Sequence, residues 1–109
     1  GLSTIASGDR MMIACDADNG KIYFGKNGTW RVANSTTFDA AQNDTTFTTG
    51  ESYTPAFSNE YCGWKINFGN GYFGTTAVSS AGTNASNNGI FEYDVPTGYT
   101  ALSTKGLNL

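Results

Sequence analysis

The fold is decided by residues 11–32, which read MMIACDADNGKIYFGKNGTWRV. Asn19-Gly20 lies between two apolar runs, and Asn-Gly in that setting is a strong hairpin signal, because a type I′ turn needs positive φ at both central residues. A second tight turn is indicated shortly afterwards by Asn27-Gly28. The stretch therefore predicts an antiparallel meander with strands at residues 10–17, 21–25 and 29–32.

Composition sets the class of protein. The chain has 109 residues, enough for one domain with a modest core. Its formal net charge is −3 and only 14% of its residues are charged, which speaks against partners such as nucleic acid or an anionic membrane surface, since both need clustered Lys and Arg. No apolar run approaches the roughly 20 residues of a membrane helix. Its 14 glycines and 14% aromatic content suit strands and turns. We therefore expect a single all-β domain over residues 1–109, without membrane insertion.

Three further strands are predicted from runs of alternating polarity. Residues 52–58 contain Pro55, which removes a hydrogen-bond donor and favours a sheet edge or a bulge. Residues 61–68 alternate cleanly and predict a central strand, with Cys62, Trp64, Ile66 and Phe68 on one face. Residues 90–95 alternate again before a turn at 96–99 and a closing segment at 101–104. We expect Trp64, Phe68, Phe24 and Phe91 in the core, and no segment has the period of an amphipathic helix.

Two long polar loops, residues 33–50 and 69–89, separate the predicted strands. Loops of this length without regular structure are usually functional or disordered. Phe38 and Phe47 are expected to fasten the first loop to the body of the domain. Tyr72 and Phe73 are the only large apolar residues of the second.

The cysteines and the first residues leave alternatives open. Cys15 and Cys62 lie in apolar runs, which favours free thiols in the core over a disulfide. Pairing requires that their two strands face each other at the right separation. The chain begins Gly1-Leu2 rather than with Met, which favours a processed or recombinant product, or a piece of a longer polypeptide.

Few residues point to catalysis or to a cofactor. The sequence has no His, which excludes Ser-His-Asp and Cys-His nucleophile systems and the common His-containing zinc sites. The run Asp16-Ala17-Asp18-Asn19-Gly20 starts like a calcium loop, but Gly20 and Lys21 stand where a ligand and a Gly are needed. We expect no metal and no cofactor. Asp16 and Asp18, if both lie on a strand, share one face at roughly 7 Å, within the range of an inverting glycosidase, although a structural role in the turn is the stronger interpretation.

The chain resembles the carboxy-terminal part of a SPRY domain. The resemblance is carried by Gly8-Asp9, an apolar strand, residues 16–24 (DADNGKIYF) and residues 26–30 (KNGTW). Residues 91–104 (FEYDVPTGYTALST) are similar to the ending of SPRY-like domains in phage and environmental-virus proteins. The resemblance implies an antiparallel β-sandwich of concanavalin-like outline. The front half of that sandwich is missing here, so upstream residues or neighbouring chains are expected to complete it.

The resemblance also implies a function. We expect a non-enzymatic virion structural or attachment domain, such as part of a tail fibre, located on the virion or extracellularly. Its two loops would recognise a host-surface glycan or protein, or would join neighbouring copies or other virion subunits. A cellular SPRY module that binds short peptides is the alternative, and a glycoside hydrolase using Asp16 and Asp18 is the third interpretation. The candidate binding residues are Trp30, Asn34, Phe38, Asn43, Tyr53, Tyr72, Phe73 and Asn84.

Overall fold

The computed structural model describes residues 4–58, 60, 61, 63–80, 89–100 and 102. Across these residues the chain forms strands and turns and no helix. It therefore contains no helix there that could span a membrane. The named strands pair antiparallel throughout, which confirms the predicted all-β class. The strands are β1 (Met11–Asp16), β2 (Lys21–Lys26), β3 (Thr29–Trp30), β4 (Thr45–Thr46), β5 (Tyr72–Phe73) and β6 (Thr76–Ala77). The chain divides into two compact units, Gly1–Tyr53 and Thr54–Leu109.

The first unit contains the predicted meander. β1 pairs with β2 in an unbroken register from Met11 opposite Lys26 to Asp16 opposite Lys21. The far side of β2 is shared by β3 at one end and β4 at the other. The sequence predicted the first three strands, with the third ending two residues earlier than expected. It did not predict β4, which lies inside the segment expected to be a loop.

The two tight turns differ from each other. Asn27 and Gly28 have φ values of 51° and 86° and form the two-residue connection that type I′ geometry requires. The first connection spans residues 17–20, and only Gly20 has positive φ, at 64°. The expectation of a type I′ turn at Asn19-Gly20 was therefore wrong. The Asp16 carboxylate accepts the backbone and side-chain amides of Asn19 at 3.0 and 2.8 Å, which stabilises the wider turn.

The core of the first unit lies on one face of its sheet. Ala14, Tyr23 and Trp30 are buried there, with Tyr23 only 2% exposed. The Phe38 ring packs edge-on against the rings of Tyr23 and Trp30, with centroids 4.8 and 5.1 Å apart, so Phe38 fastens its loop as predicted. The opposite face is more open, because Ile13 is 52% exposed.

The predicted core residues need correction. Cys15 is an exposed free thiol, because it lies on the open face of β1, opposite in direction to Ala14. Phe24 lies on that same open face and is only half-buried. Cys62 lies outside the described residues.

In the second unit, β5 and β6 form a hairpin inside the segment predicted to be the second loop. The predicted strands at 52–58 and 61–68 are not formed at any described position. Trp64, Ile66 and Phe68 are 38–41% exposed, so Trp64 and Phe68 are not the core residues that we expected. Alternating polarity marks a segment that could be a strand, but a strand also needs a hydrogen-bonding partner, and none of the described residues supplies one.

The end of the second unit is also less regular than predicted. Ile90 forms an isolated parallel bridge with Asn70, and residues 90–95 do not form the expected continuous strand. Phe91 is half-buried. The turn at 96–99 is confirmed, since the amide of Tyr99 donates to the carbonyl of Pro96 at 3.0 Å. Of the closing segment 101–104, only Leu102 is described.

Candidate functional site

An open cleft of about 300 Å³ lies on the first unit. It is formed within a short part of the first predicted loop, directly after β3. Its walls are small apolar groups followed by hydroxyl, carboxylate and amide groups, which suit a polar ligand that also has an apolar face. The lining residues are Val32, Ala33, Ser35, Thr37, Asp39 and Gln42.

The cleft loop, residues 32–42, is held from beneath by the core. The Tyr23 hydroxyl donates to the carbonyl of Ala40 at 3.0 Å, and the Lys21 ammonium donates to the same carbonyl at 3.3 Å. Phe38 turns inward onto Tyr23 and Trp30. The first end of the loop is fixed where the Trp30 backbone amide donates to the backbone carbonyl of Ser35 at 2.8 Å. The loop is therefore held at its first end and in its middle.

The far end of the cleft loop is anchored by a buried carboxylate. The Asp44 side chain is only 3% exposed, and its Oδ2 accepts the backbone amide of Phe24 at 2.7 Å. Its Oδ1 forms an ion pair with Arg31. Because Arg31 precedes the cleft loop and Asp44 follows it, this pair closes the loop at its base.

Polar groups in the cleft are oriented by local hydrogen bonds. Ser35 Oγ accepts the Thr37 amide at 3.0 Å, and Asp39 Oδ1 accepts the Ala41 amide at 2.9 Å. The hydroxyl of Ser35 can still donate, and the second carboxylate oxygen of Asp39 can still accept. The backbone amide of Gln42 donates to the backbone carbonyl of Asp39 at 3.0 Å, and Gln42 also lines the cleft.

The structure gathers some of the predicted binding residues around this cleft. Asn34 is exposed at φ 48° between two lining residues, and Phe38 lies behind the wall. Trp30 is 7% exposed, so its ring supports the core instead of being displayed at a loop flank as we expected. Asn43 donates its side-chain amide to the carbonyl of Thr45 at 3.2 Å, just beyond the cleft.

The other predicted binding residues lie elsewhere. Tyr53 is 59% exposed, packs edge-on against Phe47 at 4.8 Å between ring centroids, and donates its hydroxyl to Thr48 at 3.1 Å. In the second unit, Tyr72 is 48% exposed on β5 and the neighbouring Phe73 is half-buried. Asn84 lies outside the described residues.

Sequence reasoning missed the residues that form and brace the cleft. Ser35, Thr37 and Asp39 look like ordinary loop residues, and nothing in their spacing marks them. The missed anchors, Asp44 and Arg31, are 13 residues apart, so no local pattern joins them. One signal was available. Directly after Asp44, Thr45-Thr46 is a pair of β-branched residues, which favour strands, and this pair could have indicated β4.

The suggested hydrolase pair does not have the geometry on which it rested. β1 ends at Asp16, and Asp18 lies in the following turn, so the two side chains do not share a strand face. Hydrogen bonds from the side chain and backbone of Asn19 lower the pKa of the Asp16 carboxyl. A carboxylate held in its charged form by a turn suits a structural role more than that of a general acid, which needs a raised pKa.

A second polar cluster joins the start of the chain to the second turn. Asp9 accepts the amide of Ala6 at 2.8 Å, the side-chain amide of Asn27 at 2.7 Å and the ammonium of Lys26 at 3.2 Å. These bonds, the Ala6 amide first, lower the pKa of Asp9 to about 2. At the far end of β1, partial burial raises the pKa of the Cys15 thiol, and the charge of Asp16 raises it further.

The acidic residues and cysteines do not form a metal site in the part of the chain that the structure describes, where no group of three or more potential ligands comes together. Comparison with protein-family models, with curated proteins and with solved structures finds no match. The function must therefore be argued from the cleft itself and from the sequence.

Proposed function

We propose that this chain is a non-enzymatic recognition domain of a virus particle, and that the cleft loop binds carbohydrate on the host surface. The cleft is the observation on which this proposal depends. A sugar ring presents hydroxyl groups at its rim and C–H groups on its faces. The cleft offers a matching arrangement, with Ser35, Asp39 and Gln42 for the hydroxyls and Val32, 39% exposed, for a C–H face.

The rigidity of the cleft loop supports recognition. The binding free energy of a polar ligand is reduced when the groups that bind it must first be ordered. Here the ordering has already occurred, because Tyr23, Phe38 and the Arg31–Asp44 pair fix the loop from below. Weak binding at one cleft would be multiplied by repeated copies on a particle.

The chemistry of the cleft supports binding over hydrolysis. Glycoside hydrolases generally use two carboxyl groups on either side of the scissile bond, and among the described residues that line the cleft only Asp39 is acidic. The SPRY-like sandwich is supported by the resemblance at Asp16–Phe24 and Lys26–Trp30, and the viral context by the similarity of residues 91–104 to phage and environmental-virus proteins; both remain predictions.

A glycan array probed with a multimerised form of the chain tests the proposal. A sugar that binds should lose affinity about five-fold or more in Gln42→Ala, since one hydrogen bond is worth about 1 kcal/mol. The Gln42 side chain forms no hydrogen bond or ion pair within the described part of the chain, so the variant should keep its stability. Asp39→Asn preserves the oxygen that accepts the Ala41 amide, but it removes the charge and replaces the second acceptor oxygen with an NH2 donor, so affinity should fall here as well. Glu51→Ala, an exposed acidic residue outside the cleft, is the control and should bind as the parent does.

Other outcomes would favour the alternatives. Binding to a linear peptide, with no glycan bound, would favour the adaptor. Release of free sugar that stops in Asp16→Asn would favour the hydrolase. Glycan binding that is unchanged in both Gln42→Ala and Asp39→Asn would exclude the cleft as the binding site.

A further inference from the structure

β1 is the outer strand of the sheet in the first unit. β2 is its only strand partner among the described residues. The Asn27 amide donates to the carbonyl of Arg10 at 2.9 Å, so the backbone of Arg10 points toward β2. Backbone direction alternates along an antiparallel strand. The N–H and C=O groups of Met11, Ile13 and Cys15 therefore point away from β2, along the outer edge.

Among the described residues, this edge lacks most of the features with which proteins usually protect an outer strand, and its one charged residue, Asp16, lies at the end of β1. Natural edges are blunted by short length, by Lys or Pro, or by a bulge. β1 has six residues, MMIACD, contains neither Lys nor Pro, and keeps a continuous register with β2. Ile13, at its centre, is 52% exposed, and Cys15 is exposed as well. The edge is thus a ready template for another strand.

We propose that two copies of this chain pair through the outer edge of β1, strand against antiparallel strand, about a two-fold axis at Ile13. In this register Ile13 faces Ile13 of the partner subunit, and Met11 faces Cys15 of the partner subunit. All three outward-pointing residues then become hydrogen-bonded pairs, each of which exchanges two N–H···O bonds. The edge is self-complementary, as a two-fold interface requires.

Charge favours this register and orientation, as an additional contact for Arg10 and for the Asp16 carboxylate that already accepts the amides of Asn19. The register centred on Ile13 places Arg10 opposite Asp16 of the partner subunit, and the two-fold axis repeats that contact. A parallel pairing would instead set Arg10 against Arg10 and Asp16 against Asp16. Opposite charges on facing strands stabilise a pair and like charges destabilise it. The ends of β1 therefore favour a second copy of the chain in the antiparallel orientation.

Sedimentation equilibrium tests the proposal. The parent chain should sediment at twice its single-chain mass of 11.5 kDa. Ile13→Lys should be a folded monomer, because it sets two ammonium groups face to face at the axis. The matched control is Ile66→Lys, at a residue 41% exposed in the second unit, which should remain a dimer. A monomeric parent chain would overturn the proposal, and so would dissociation by Ile66→Lys.

A second test, based on disulfide formation, remains valid even if Ile13→Lys prevents folding. In a Cys62→Ser background, the thiol introduced by Met11→Cys faces Cys15 of the partner subunit. The Cα separation of a hydrogen-bonded antiparallel pair is about 5.5 Å, which a disulfide can span. Met11→Cys should form a covalent dimer under mild oxidation. Met12→Cys, whose side chain lies on the other face of β1 from Cys15, should not.

The remaining outcomes are also decisive. Equal cross-linking of Met11→Cys and Met12→Cys would contradict the register. If neither variant formed a covalent dimer, the pairing would be excluded. It would also be excluded if a longer form of the polypeptide were monomeric because a preceding segment occupied the edge of β1.

Discussion

The carboxylate of Asp44 accepts the backbone amide of Phe24 at 2.7 Å, on the side of β2 that faces away from β1 and at a point that neither β3 nor β4 covers. β3 pairs with β2 only at Gly25 and Lys26, and β4 only at Lys21 and Ile22. Phe24 falls between them. A side chain thus replaces a missing strand, and the same carboxylate neutralises Arg31.

Asp44→Asn should lower the free energy of unfolding by about 2 kcal/mol. The amide keeps one oxygen for Phe24 but no longer balances the charge of Arg31. Asp44→Ala should cost about 3 kcal/mol or more, since it leaves both partners without their acceptor. Urea denaturation measures both. Asp18→Asn makes the same charge change at an exposed turn residue and should stay within about 0.5 kcal/mol of the parent. An equal effect at both positions would show that Asp44 is not an anchor.

Acid should weaken the cluster at Asp9. Its pKa in the folded chain is about 2, against an ordinary value of 3.8. A carboxyl with a lowered pKa contributes stability above its unfolded value, and that contribution disappears as the pH falls from about 4 to 2. The slope of unfolding free energy against pH in this window should be shallower in Asp9→Asn than in the parent. Asp18→Asn controls for the change in net charge. An identical slope in Asp9→Asn and in the parent would contradict the assignment.

Gly20 should not tolerate a side chain. Its φ of +64° is unfavourable for Ala by about 1 kcal/mol, and a Cβ there would lie 2.3 Å from the carbonyl oxygen of Phe47. Gly20→Ala should therefore cost about 2 kcal/mol or more, and should disturb the pairing of β4. Gly50, at φ +82° with open space around it, is the matched control and should show only the conformational cost. Thermal denaturation of the two variants separates the steric effect from the backbone effect; equal melting temperatures would count against the steric contact.

Local signals predicted the first unit well. β1, β2, β3 and the turn at Asn27-Gly28 depend on residues that are close in sequence, where turn chemistry and alternation act directly. The same logic failed over residues 61–68. Trp64, Ile66 and Phe68 alternate as a strand would, but pairing depends on a distant partner that alternation does not reveal.

The cleft could not be predicted residue by residue for a similar reason. The loop containing Asn34 and Phe38 was predicted to be a candidate site, with Phe38 as the residue that packs the loop against the domain. The lining groups of Ser35 and Gln42 converge only because Arg31 and Asp44 close the loop at its base, and that ion pair spans a gap in sequence which no motif bridges. Trp30 was predicted to be a binding residue, but in β3 it lies opposite Gly25 with its ring packed against Phe38 in the core.

The hydroxyl of Tyr23 links the core to the proposed binding site. It donates to the carbonyl of Ala40 at 3.0 Å from a side chain that is 2% exposed. Tyr23→Phe removes that donor and keeps the ring that packs against Phe38. The free energy of unfolding should fall by about 1 kcal/mol, and amide hydrogen exchange should quicken in the cleft loop more than in β1. The affinity of Tyr23→Phe for a glycan should also fall, since a more mobile loop must be ordered on binding. Tyr53→Phe, which removes a hydroxyl bonded to Thr48 outside the cleft, is the control and should leave the exchange of the cleft loop unchanged. Uniformly faster exchange in Tyr23→Phe would instead mean that the hydroxyl stabilises the whole sheet and has no particular role in holding the loop.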